Sequence, residues 1–190
     1  MNRVGILGGT FDPPHQGHLI MAEYALEEMD LDEVWFMPSF IPPHKQESTT
    51  DANARLKMVE LATKDHPEFR VCDVELMRKG TSYTVDTMTY LKQQYPELAF
   101  YFIIGGDMVE HLSKWNRVDE LQQMVEFIGV ERPGYEWSDE IPVHFIDIPS
   151  IDISSTVVRE RVTSGKSVRY LIPDAVDSYI KEHHLYGNNS

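Results

Sequence analysis

Short apolar runs alternate with stretches of helical period along the 190 residues of this chain. Val4-Gly5-Ile6-Leu7 is the first run, and Leu19, Ala22, Leu26 and Met29 then recur at helical spacing. Glu33-Val34-Trp35-Phe36-Met37-Pro38 reads as a second strand closed by proline. Ala54, Met58 and Leu61 stripe the helix that follows, which Asp51 can cap. Phe69 to Asp73 is a third strand, and Val85, Met88, Leu91 and Tyr95 form the inward face of a third helix capped by Ser82 or Thr84. Ala99 to Ile104 is apolar throughout, as a central strand buried on both faces requires. Glu126 to Glu131 and Val143 to Asp147 complete the strands, Ser154-Ser155-Thr156 opens a helix, and a last helix runs from about Pro173 to His184. Strand and helix in alternation imply crossover connections: an α/β fold with a mainly parallel sheet and helices on both faces. No linker or repeat interrupts residues 1–190, so a single domain is expected, with a small C-terminal helical portion from about residue 155.

Composition narrows the setting. Hydrophobic residues at 42% and charged residues at 25% suit a soluble domain with a real core. A formal net charge of −14 argues against a broad nucleic-acid or anionic-membrane surface, without excluding a locally positive pocket. One cysteine, Cys72, allows no intramolecular disulfide and fits a reducing cytosol. The first residues run straight into a strand, with too short an apolar run for a signal peptide, and no stretch has the length of a membrane span. A cytoplasmic protein is expected.

The chemistry concentrates in Gly8-Gly9-Thr10-Phe11-Asp12-Pro13-Pro14-His15-Gln16-Gly17-His18. Glycines at a strand end let the main chain approach a ligand closely. The following helix start supplies unpaired N–H groups and the positive end of a dipole, a natural phosphate site. His15 and His18, three apart, face the same way on a helical turn. The spacing is neither the dinucleotide fingerprint nor a P-loop, and no nearby Cys or third His completes a zinc set. A second cluster, Ser154-Ser155-Thr156-Val157-Val158-Arg159, has helix-capping hydroxyls and an arginine one turn on, able to return to the helix mouth and bind an anion. Gly105-Gly106-Asp107 ends the central strand, where ligands of open α/β sheets sit. Cys72 reads as a small core residue rather than a nucleophile.

The two motifs together resemble those of the HxGH nucleotidyltransferases, and the resemblance covers nearly the whole chain. Ile41-Pro42-Pro43-His44-Lys45, Ser82-Tyr83-Thr84-Val85-Asp86-Thr87, Gly105-Gly106-Asp107 and Lys114-Trp115 are similar to the bacterial branch that joins ATP to nicotinate mononucleotide. The resemblance implies a Rossmann-like, doubly wound sheet and adenylyl transfer giving nicotinate adenine dinucleotide and pyrophosphate. It implies His15, His18 and Arg159 as catalytic residues, with Gly8, Gly9, Thr10, Phe11, Gly105, Asp107, Ser155 and Thr156 around ATP. Lys45, Thr84, Trp115 and Arg132 would serve the acceptor nucleotide, Mg²⁺ would accompany ATP, and no protein-held metal is implied. Nucleic acid and membrane are not expected partners; self-association is left open. The rivals are another HxGH enzyme, such as phosphopantetheine adenylyltransferase or a cytidylyltransferase, and a nucleotide sensor that binds without turnover.

Overall fold

The computed structural model describes residues 2–41, 50–131 and 141–187. Its elements, in chain order, are β1 (Arg3–Gly9), α1 (Gln16–Glu28), β2 (Glu33–Pro38), α2 (Ala52–Thr63), β3 (Phe69–Val71), α3 (Val74–Arg78), α4 (Thr84–Gln94) and β4 (Ala99–Gly105). They continue with α5 (Gly106–Val109), α6 (Val118–Leu121), β5 (Val125–Glu131), β6 (Val143–Asp147), α7 (Ser155–Thr163) and α8 (Asp174–Glu182). Short 3₁₀ turns stand at Leu112–Lys114 and Leu185–Gly187. The strands form one sheet in the order β3-β2-β1-β4-β5-β6, every neighbouring pair parallel. This is the doubly wound order, with its switch point between β1 and β4.

Strand periodicity sorts the core. On β4, Phe100, Phe102 and Ile104 enter one apolar cluster while Tyr101 and Ile103 enter another. The first cluster takes Val85, Met88 and Leu91 of α4; the second takes Ala22 and Ala25 of α1 and Val59 of α2. The sheet is thus covered on both faces, as the unbroken apolar run of β4 demands. A third cluster joins Met58 of α2 to Val158 and Val162 of α7 and to Val176 and Ile180 of α8. Adjacent residues Met58 and Val59 therefore belong to different clusters, and α2 links the sheet to the C-terminal helices. Among the described residues no helix is long and apolar enough to cross a membrane.

Local departures from the sequence pattern have simple causes. The third strand ends at Val71, and a short helix, α3, follows it. Neither Ser82 nor Thr84 caps α4: the flanking residue is Tyr83, and the Ser82 hydroxyl instead accepts from the Phe40 main-chain N–H at 3.2 Å. Tyr95 is 40% exposed and meets the core only edge-on, against Trp35. Asp51 does cap α2, its carboxylate accepting from Asn53 N–H at 3.1 Å.

Candidate active site

Two strand ends and two helix starts build the site. β1 and β4 are neighbours, so Gly8-Gly9-Thr10 and Gly105-Gly106-Asp107 leave the sheet side by side at its carboxyl edge. Gly105 flanks the start of α5, where Asp107 lies in the first turn. Phe11 follows the β1 glycines in the left-handed region, at φ 51°, and its ring is 1% exposed. That ring lies over Gly9, where an added Cβ would come within 3.3 Å of it, and meets Phe36 and His18. Its ring is thus packed inside the fold rather than open to a ligand.

The histidines are arranged by the helix start itself. α1 begins at Gln16, three residues before Leu19, the start of the apolar stripe, so His15 flanks the first turn and His18 is its third residue. The His15 main-chain N–H donates to His18 Nδ1 at 3.1 Å. A ring accepting at Nδ1 carries its proton at Nε2, so His18 presents an N–H donor on its far side. The two imidazoles stack, centroids 3.7 Å apart, and His15 is the more buried of the pair. Gly17 makes room for this: a Cβ there would stand 2.9 Å from His15 Cε1 and Nδ1. It would also lie 3.8 Å from the Ile153 carbonyl oxygen, which places the approach to α7 beside the start of α1.

The second motif clamps the first. Ser154 caps α7, its hydroxyl accepting from Val157 N–H at 3.2 Å. The Ser155 hydroxyl donates to the Pro13 carbonyl at 2.7 Å, so toward an anion Ser155 offers its main-chain N–H in the first turn of a helix. Arg159 donates to the Asp12 carbonyl at 2.9 Å and to the Thr156 hydroxyl at 3.3 Å. The Gln16 N–H meets the Leu171 carbonyl at 2.8 Å, bracing α1 from the segment before α8. Two helix N-termini, both dipole-positive, thus converge on the Asp12 to His18 loop with an arginine between them. An anion held there would be stabilised without any protein group changing charge.

Of the residues expected at the acceptor, Thr84 opens α4, and Trp115 packs edge-on against Phe102 and Phe127, with centroids at 5.8 and 6.4 Å. Trp115 is half-buried, so packing and ligand contact compete for its ring. Lys45 and Arg132 lie outside the described residues. Among the described residues no three His, Cys, Asp or Glu side chains converge as a metal cage.

Three residues were missed by sequence reasoning. Arg55 is 1% exposed, and its guanidinium donates to the carbonyls of Thr10, Ser39 and Phe40. Burial lowers its pKa from the ordinary value, and the nearby Asp12 carboxylate works against that shift. Asp12 in turn accepts from the Tyr186 hydroxyl at 2.6 Å, and burial together with that carboxylate pushes the phenol's pKa well up, keeping it a donor. The available signal was Arg55 at helical spacing from Met58 and Val59, a charge on an otherwise inward face.

Residues 6–161 match the cytidylyltransferase-like family. The chain is 54% identical over 187 residues to a probable nicotinate-nucleotide adenylyltransferase of Oceanobacillus iheyensis, covering 98% of both chains. It is 51% identical over 187 residues to the nicotinate-nucleotide adenylyltransferase of Bacillus subtilis, covering 98% of this chain and 99% of the relative. In three dimensions it is similar to Plasmodium falciparum nicotinic acid mononucleotide adenylyltransferase complexed with NaAD, with a TM-score of 0.84, 22% identity, and coverage of 100% of this chain and 99% of the other. At that identity the likeness speaks to the fold, whereas the two bacterial relatives match nearly end to end at half their residues. The glycine loop, the paired histidines and the clamping arginine therefore sit in a chain that belongs to the nicotinate-nucleotide adenylyltransferase family, within the cytidylyltransferase-like proteins.

Proposed function

We propose that this protein transfers the adenylyl group of ATP to nicotinate mononucleotide, a step of NAD biosynthesis. An oxygen of the acceptor phosphate attacks the α-phosphorus, the bond from that phosphorus to the β-phosphate oxygen breaks, and pyrophosphate leaves. The products are nicotinate adenine dinucleotide and pyrophosphate. The attacking phosphate is already ionised at neutral pH, so no general base is required. Catalysis is a matter of alignment and of stabilising charge as it builds on the α-phosphate and the leaving group.

The observation that carries this reading is the His15–His18 pair: the main-chain N–H of one fixes Nδ1 of the other and leaves Nε2–H to donate. In this account His18 donates to the α-phosphate. His15, Arg159 and the first-turn N–H groups of Ser155 and Thr156 hold the phosphate tail. Gly8, Gly9, Thr10 and the Phe11 main chain, with Gly105 and Asp107, surround adenosine. Lys45, Thr84, Trp115 and Arg132 serve the acceptor. Mg²⁺ arrives with ATP and offsets phosphate charge, and the reaction belongs in the cytoplasm.

The test is pyrophosphate release from ATP and Mg²⁺ across an acceptor panel of nicotinate mononucleotide, nicotinamide mononucleotide and phosphopantetheine, with CTP in place of ATP as a separate arm. Release chiefly with the nicotinate acceptor supports the proposal. Release with a different acceptor would retain the chemistry and overturn the substrate. Tight ATP binding with no release from any acceptor would make the protein a sensor.

A further inference from the structure

Arg55 belongs to no substrate-binding motif, yet its placement is unusual. A whole guanidinium is withdrawn from water into the seam beneath two loops, which costs more than packing an apolar side chain there. What it obtains is three main-chain carbonyls from two separate strand exits. Nη1 donates to Thr10 at 2.8 Å, beyond β1, and to Ser39 at 2.7 Å, beyond β2; Nη2 reaches Phe40 at 3.5 Å. The β2 exit is in turn tied to the start of α4. Phe40 N–H donates to the Ser82 hydroxyl, and Ser82 N–H donates to the Ile41 carbonyl at 2.8 Å. A chain of hydrogen bonds therefore runs from Thr10 through Arg55 to the loop that presents Thr84. Asp12, 8% exposed, supplies the opposite charge, and Tyr186 holds the Asp12 carboxylate from the C-terminal turn.

We propose that Arg55, backed by Asp12 and Tyr186, is a positioning residue that fixes the spacing between the loop holding ATP at Thr10 and the loop holding the acceptor. This rests on the adenylyl-transfer reading above. Each loop can bind its own substrate without the clamp; in-line attack needs both held at one separation, and a displacement near 1 Å costs on the order of a hundredfold in rate. Lysine keeps the charge but lacks the planar fork that reaches two loops at once.

The test is Arg55→Lys, assayed well below its own melting midpoint. The expected result is a kcat lowered about 30- to 100-fold, with the separate dissociation constants of Mg·ATP and nicotinate mononucleotide within about threefold of wild type by calorimetry. A kcat within threefold of wild type beside a lowered midpoint would assign Arg55 to stability alone and overturn the proposal. So would weakened binding of either substrate with kcat unchanged. If Arg55→Lys does not fold, Tyr186→Phe, which leaves the Asp12 carboxylate beside its Arg55 counter-charge, should lower kcat about fivefold with both dissociation constants unchanged; an unchanged kcat would overturn the proposal. Should wild type release no pyrophosphate with any acceptor, adenylyl transfer fails as the reading. Hydrogen exchange then judges the clamp: Arg55→Lys, or Tyr186→Phe in its place, must loosen peptides around Thr10 and Phe40 together, and loosening of one alone overturns it.

Discussion

Gly17 offers a perturbation whose competing effects can be weighed. Its φ is not in the left-handed region, so alanine meets no backbone strain, and within α1 alanine should gain about 0.5–1 kcal/mol from helix propensity. Against this, the new Cβ would stand 2.9 Å from two atoms of the His15 ring, where ordinary contact begins at 3.4 Å. The ring must move by about 0.5 Å or more, at an overpacking cost of about 1–3 kcal/mol. Net stability then falls by somewhere between nothing and about 2.5 kcal/mol. The larger effect is on rate. His15 stacks on His18 at 3.7 Å and its main chain holds His18 Nδ1, so a displaced His15 turns the Nε2–H donor off its line. Gly17→Ala should lower kcat/KM for pyrophosphate release about 10- to 100-fold, equivalent to about 1.4–2.7 kcal/mol, in protein that melts no more than about 10 °C below wild type. An alanine variant that is more stable and fully active would refute the claim that this glycine exists to seat the histidine pair.

Other outcomes follow from buried or clamping groups. Burial holds the Glu75 carboxyl above its ordinary pKa, with hydrogen bonds from Thr87 and Ser82 opposing the shift. Between the ordinary and the raised value the folded state binds more protons than the unfolded, so Glu75 makes stability fall as pH rises through that window. Melting curves of wild type and Glu75→Gln from acid to neutral pH should show wild type losing ground to the variant; a pH-independent difference would contradict this. Burial pushes the Cys72 thiol up to about 11, so its thiolate fraction at neutral pH falls on the order of 100-fold below that of an unshifted thiol. Alkylation of native protein should be correspondingly slow by mass spectrometry, and rapid labelling would show the site to be open. Ser155→Ala removes the hydroxyl that holds Pro13, and a drop in melting midpoint of a few degrees with a several-fold lower kcat is expected; no change in either would mean the clamp on the glycine loop is carried by Arg159 alone.

Sequence patterns revealed what depends on local period. β4 was legible because five consecutive buried residues, Phe100 to Ile104, admit few other readings. The starts of α2 and α7 were legible because Asp51 and Ser154 bond within their own first turns. The five residues of α3 are too few to show a period. Nothing near Ser82 in sequence shows that its hydroxyl accepts from Phe40, 42 residues away, instead of capping α4. The same limit hid the rest of the site's support. Tyr186 and Asp12 are 174 residues apart, and Arg55 bonds carbonyls, which carry no residue identity. The glycine, histidine and hydroxyl–arginine motifs of the site were readable from residue types and spacing. The framework that holds it together depends on topology, which brings β1, β2 and the C-terminal turn to one place.

The central claim is that His18 stabilises charge on the α-phosphate rather than merely helping ATP to bind. Single-turnover formation of nicotinate adenine dinucleotide, followed by mass spectrometry in wild type and His18→Ala at saturating substrates, tests it directly. The account predicts one pyrophosphate per dinucleotide in wild type and a rate at least about 100-fold lower in the variant, with ATP affinity within a few-fold. Equal rates in the two proteins would remove His18 from the transition state and contradict the account.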